Sequence, residues 1–111
     1  MSIVLGVDLG GTRLRAAWTG TTGEVEPHAL DSGPAPGSTA ELAERVAAHA
    51  ATAADEGGGR VASVAVTIPG LVQGTRCRWV PNLPYLDGED LAELLAPLGA
   101  RATRCARRAR R

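Results

Sequence analysis

Lysine and phenylalanine are absent from the 111 residues, and aromatic side chains make up only 3% of them. Without lysine there is no Walker-type phosphate loop, which needs Gly-Lys followed by a hydroxyl residue. A G-x-G-x-x-G dinucleotide fingerprint at a strand-to-helix turn is missing too. Cysteine is scarce: Cys77 and Cys105 are too few and too far apart for a disulfide framework or a CxxC metal clip, so reduced thiols are expected. No apolar run approaches the roughly 20 residues of a membrane span. Asp8 breaks the first apolar stretch too early for a secretory signal. These absences point to a cytoplasmic protein with no membrane partner.

What is present describes one globular domain. Apolar residues make up 44% of the chain and charged residues 22%, which is the balance of a packed protein rather than a disordered one. The formal charge of zero hides a division. Residues 1–100 hold all twelve carboxylates and six arginines, whereas residues 101–111 hold six arginines and no carboxylate.

Ile3, Leu5, Val7 and Leu9 alternate with Val4, Gly6, Asp8 and Gly10, which predicts a strand with one apolar face and one cleared face. Residues 13–18 alternate again, so an antiparallel hairpin is predicted, with Gly10 and Gly11 supplying positive φ angles. A third short strand is predicted over 24–30, at an edge because of Pro27. Residues 31–38 read as a loop. Ser38 and Glu41 form a capping box for a helix over 39–55, with Leu42, Val46, Ala50 and Ala53 on one side and Gly57-Gly58-Gly59 ending it. Residues 61–68 are apolar on both faces apart from Ser63 and Thr67 and predict a central strand covered on both sides. A second helix is predicted from about 89 to 95, capped by Asp87. The order is that of an α/β fold.

The stretch D-L-G-G-T-R at 8–13 is the first candidate site. Adjacent glycines let main-chain N–H groups approach an anion. Thr12 adds a hydroxyl and Arg13 a positive charge. Asp8 repels a bare polyphosphate, so its place in such a site is beside Mg²⁺, held through coordinated water. A plain hairpin with a solvated Asp8 fits the local chemistry equally well.

G-V-D-L-G-G-T-R at 6–13, V-T-I-P-G at 66–70 and W-V-P-N-L-P at 79–84, in that order, resemble the N-terminal part of the ROK family of bacterial glucokinases, related sugar kinases and sugar-responsive repressors. The resemblance implies the N-terminal lobe of the actin-like/hexokinase ATPase fold (ribonuclease H-like), with a mixed and incomplete sheet. It implies that Asp8, Gly10, Gly11, Thr12 and Arg13 contact ATP, with Asp8 at the Mg²⁺ site, and that Gly70 and Asn82 border a hexose pocket. For Gly70 the residues offer a reason, close approach of a ligand to the backbone. For Asn82 a turn between two prolines is the plainer reading. Trp79 and Tyr85 each offer an aromatic face on which a sugar can stack, but packing in the core is the expected role of both.

The family's later parts, an Asn-Asp pair carrying the general base and a zinc site of one His and three Cys, are not among these residues. Asp87 and Asp90 read as helix-start residues, and no catalytic residue is nominated. Residues 1–100 are therefore expected to form a truncated kinase lobe. Residues 101–111, with no apolar side chain large enough for a core, are expected to be disordered or derived from a shifted reading frame and unable to return to the sheet. The expected function is that of a sugar-kinase fragment, inactive alone. The alternative is a noncatalytic sugar- or polyanion-binding protein, with only nonspecific nucleic-acid contact through the arginines. A repressor is disfavoured because the first strand leaves no room for a helix-turn-helix before it. Self-association is open, since the strand at 61–68 invites pairing.

Overall fold

The computed structural model describes residues 2–21, 26–99 and 102–107. Strands β1 (Ser2–Leu9) and β2 (Arg13–Gly20) form the antiparallel hairpin, in register from Ile3 opposite Gly20 to Leu9 opposite Leu14. Alternation decides which residues enter the core. Ile3, Leu5, Val7, Leu9, Leu14, Ala16 and Trp18 are buried, while Gly6, Asp8, Arg15 and Ala17 keep solvent contact on the opposite face. Two short strands, β3 (His28–Ala29) and β4 (Gly33–Pro34), pair with the outer side of β2. The strand predicted over 24–30 is thus reduced to two residues, with 24 and 25 outside the described residues. The predicted loop contains β4, where proline sits at an edge that asks no ladder donor of it.

Helix α1 (Thr39–Gly57) starts as its capping residues dictate. Ser38 Oγ accepts from the Glu41 N–H at 3.1 Å, and Glu41 Oε2 accepts from the Gly37 N–H at 2.8 Å, one residue before the usual partner of a capping box. Leu42, Val46 and Ala53 are buried against the sheet, with Ala50 packed at the margin. Gly58 ends the helix at φ 64°, a left-handed conformation that burdens other residues by roughly 1 kcal/mol. At this end Trp18 stacks on His28, ring centroids 4.1 Å apart, and donates its indole N–H to Glu56 Oε1 at 2.8 Å.

Strand β5 (Arg60–Ile68) runs parallel to β1, reaching Asp8 opposite Thr67. A small hairpin follows, β6 (Leu71–Gln73) and β7 (Arg76–Trp79). After one 3₁₀ turn comes α2 (Leu91–Leu94). This helix is shorter than predicted. Asp90, not Asp87, caps it, accepting from Ala92 N–H at 2.9 Å and Glu93 N–H at 3.4 Å, and Asp87 instead accepts from the Val80 N–H at 2.7 Å.

The chain then does what its composition seemed to forbid. Residues 102–107 form β8 (Ala102–Arg107), parallel to β5 from Ser63 opposite Ala102 to Ile68 opposite Arg107. The expectation that this segment cannot rejoin the sheet is corrected. An edge strand needs one ladder partner and a period of two, not a large apolar side chain. Here Thr103 and Cys105 lie in register with Val64 and Val66, and Arg104 lies in register with Ala65. Residues 100, 101 and 108–111 are outside the described residues.

The main sheet has the order β3-β2-β1-β5-β8, with β4 also on β2, and mixes antiparallel with parallel pairing. β5 is central, flanked on both edges. Its second face is not covered as predicted, because Ala65 is exposed there and Ser63 and Thr67 keep partial solvent contact. The α/β class and mixed sheet expected from the sequence are the ones observed. No helix among the described residues is long and apolar enough to cross a membrane.

Candidate functional site at the carboxyl edge of the sheet

Parallel registers bring the carboxyl ends of β1, β5 and β8 to one edge of the sheet, which is where open α/β sheets place ligands. The turn at 10–12 leaves β1 there, Pro69-Gly70 leaves β5 beside it, and Arg107 ends β8.

The turn closes on itself by a Gly10 N–H to Arg13 carbonyl bond of 2.8 Å. Neither Gly10 nor Gly11 has positive φ; among the described residues that conformation belongs to Gly58, Gly74, Gly88 and Gly99. The predicted reason for the glycine pair is therefore corrected. At Gly11 the requirement is space: a Cβ there would lie 2.9 Å from Asn82 Nδ2 and 3.0 Å from Asn82 Cβ. The phosphate-loop candidate and the sugar-pocket candidate, seventy-one positions apart in sequence, thus pack against each other.

Segment 32–36 supports the turn. Ala35 N–H donates to the Thr12 carbonyl at 2.9 Å, and Arg13 Nη2 donates to Ser32 Oγ at 2.9 Å. Arg45 Nη1 holds the Pro34 carbonyl at 2.8 Å, and Tyr85 Oη donates to the Pro36 carbonyl at 2.7 Å. Tyr85 is thereby a half-buried strut, and burial together with the nearby Glu41 charge pushes its phenol pKa up. Thr12 and Arg13 are exposed.

Asp8 occupies the cleared face of β1, half-buried, and its Oδ1 accepts from Thr67 Oγ1 at 2.6 Å. Beside them the sheet face forms an open hollow of about 330 Å³ lined by Gly6, Asp8, Arg15, Ala17, Ala65 and Thr67. From the sequence Thr67 is only a polar exception in the strand; the period of two along 61–68 sets it on the face opposite the buried Ile68, where Asp8 lies. Among the described residues no group of three or more His, Cys, Asp or Glu side chains converges. A metal at Asp8 would need its remaining ligands from water and substrate.

Gly70 belongs to the edge for a different reason from the one predicted. A Cβ there would collide with the Trp79 carbonyl oxygen and lie 2.9 Å from Val80 Cα, so the glycine admits the chain's own backbone. Trp79 is the further correction: it is 57% exposed rather than packed in the core.

Neither a protein-family model nor a curated protein matches the sequence. Solved structures do. A ROK hexokinase from Thermus thermophilus superposes with TM-score 0.73 at 25% identity, over 95% of this chain and 35% of that one. The chain is built like part of a ROK-family sugar kinase. An inorganic polyphosphate/ATP-glucomannokinase from Arthrobacter sp. strain KM gives TM-score 0.72 at 23% identity, over 96% of this chain and 44% of that one. A ROK-family glucokinase from Streptomyces griseus, solved with glucose and AMPPNP, gives 0.70 at 21%, over 90% of this chain and 31% of that one. The chain thus spans less than half the length of each of these kinases.

Proposed function

We propose that this chain is the N-terminal, phosphate- and sugar-contacting portion of an ATP-dependent hexose kinase, competent to bind and not to turn over by itself. The observation that supports this most directly is the packing of Gly11 against Asn82, which brings the 10–12 turn and the Asn82 amide together at one sheet edge. Phosphoryl transfer depends on positioning and on charge balance around the transferred group. Main-chain amides at the tip of the 10–12 turn, the Thr12 hydroxyl and Arg13 serve the phosphate end of ATP. Asn82, with a donor and an acceptor on one amide, serves a hexose hydroxyl.

One carboxylate beside one hydroxyl, Asp8 with Thr67, suits Mg²⁺, an ion that keeps several waters and takes few protein ligands. Asp8 would hold it; the ion supplies neutralising charge at the phosphate oxygens. The base that accepts the sugar's proton is a separate requirement.

The test is an amide-proton NMR titration of the purified chain with Mg-ATP, alongside a coupled glucose-phosphorylation assay. The expected result is chemical-shift change concentrated at residues 10–13 and no phosphorylation. Shifts spread evenly over α1 and β2 with none at the turn, or measurable turnover, contradict the proposal.

A further inference from the structure

The hairpin of β6 and β7 carries two large apolar side chains that the fold leaves in water. Among the described residues Trp79, 57% exposed, and Leu71, 44% exposed, are the only ones of their size so placed, and they face each other in the ladder. The chain's other indole, Trp18, is buried, stacked and hydrogen-bonded. Leaving an indole in solvent forgoes the stabilisation that burying a large apolar side chain contributes.

The position of Trp79 is fixed on both sides. Its carbonyl oxygen lies over Gly70, where no side chain fits, and the next N–H, of Val80, is held by Asp87 at 2.7 Å. Three residues on, Asn82 packs against Gly11. The polar side chains of the hairpin are engaged elsewhere, Arg78 Nε donating to Gln73 Oε1 at 3.0 Å and Arg76 Nη1 to the Gly88 carbonyl at 2.7 Å. The backbone of the exposed Trp79 is thus fixed against Gly70, three residues before the Asn82 that packs on the glycine turn.

A pyranose offers the matching chemistry: a ring face of C–H groups and a rim of hydroxyls. We infer that Trp79, with Leu71 beside it, is the apolar platform on which the sugar ring of a hexose lies while Asn82 bonds its rim. This rests on the sugar-binding reading above and adds the residues that select a ring with a continuous C–H face.

D-glucose titrated into the full chain, followed by tryptophan emission and in parallel by calorimetry, tests it. The expected result is a blue shift and reduced acrylamide quenching that saturate with the calorimetric isotherm. In Trp79→Phe, Trp18 is the sole indole and the spectral response disappears while affinity falls no more than about threefold, since one aromatic face replaces another. In Trp79→Ala affinity falls about tenfold, or about 1.4 kcal/mol. Unchanged Trp18 emission reports that each variant has folded. Glucose binding that is calorimetrically intact in Trp79→Ala overturns the inference and leaves the sugar-binding reading standing. Failure of the unaltered chain to bind glucose overturns both.

Discussion

Replacing Gly70 by alanine should be markedly more damaging than replacing Gly11, although both are glycines at turns on the same edge. At Gly70 the added methyl meets backbone: the Trp79 carbonyl oxygen and, at 2.9 Å, Val80 Cα. Those atoms cannot step aside, because the Val80 N–H is held by Asp87 and the Val80 side chain is fully buried. The cost belongs at the upper end of the overpacking range, about 3 kcal/mol. At Gly11 the obstruction is the exposed Asn82, whose amide 2.9 Å away can turn into solvent and whose Cβ at 3.0 Å has to yield only slightly, at about 1 kcal/mol. With a urea slope of about 1–1.5 kcal/mol per molar for a domain of this size, the two midpoints should differ by roughly 1.5 M. Gly11→Ala combined with Asn82→Gly, which removes the Asn82 Cβ together with the amide, should cost less than the two single variants summed, a coupling that independent sites do not show. Equal midpoints for the two glycine variants, or strict additivity in the double variant, would refute the packing argument.

Acid stability carries a second prediction. The Thr75 hydroxyl, donating at 2.7 Å, holds the Asp90 carboxyl below its ordinary value of 3.8, helped by the Glu93 and Ala92 amides and by Arg76 against some desolvation. A depressed folded pKa means the contribution is complete above the ordinary value and is lost as pH falls through the lower one. Asp90→Asn should therefore flatten the acid limb of a stability-against-pH curve below about pH 4; an unchanged limb contradicts the role. Cysteine chemistry carries a third. Burial, then the neighbouring Cys77 and Asp90, push the Cys105 thiol up to about 11 from 9.0. Near pH 8 its thiolate fraction is cut by about a hundredfold, so alkylation of the folded chain should be slow to that degree relative to the urea-unfolded chain. Comparable rates count against the burial of that edge.

Where residues acted locally, the sequence was a sufficient guide. Alternation on both sides of the glycine pair announced the hairpin, and Ser38 with Glu41 marked the start of α1. What failed depended on partners distant in the chain. β8 has no apolar signature because β5 supplies its ladder. Asp87 and Asp90 are both plausible caps by type, and only the fold gives Asp87 to Val80 and Asp90 to α2. The candidate site follows the same division: the 8–13 motif was visible as a unit, whereas the Thr67 hydroxyl on Asp8 and the contact of Gly11 with Asn82 required the strands to be assembled. Burial of Trp79 was expected because large aromatic side chains are mostly buried, whereas at the end of β7 it stands in solvent beside the buried Val80.

The most direct measurement is calorimetric titration of Mg-ATP into the chain and into an Asp8→Ala/Gly11→Val variant whose folding is verified by the stacked, buried Trp18. The predicted result is weak saturable binding by the unaltered chain and loss of at least about tenfold in affinity by the variant. Equal binding by both would show that the turn after β1 is not where the phosphates are held.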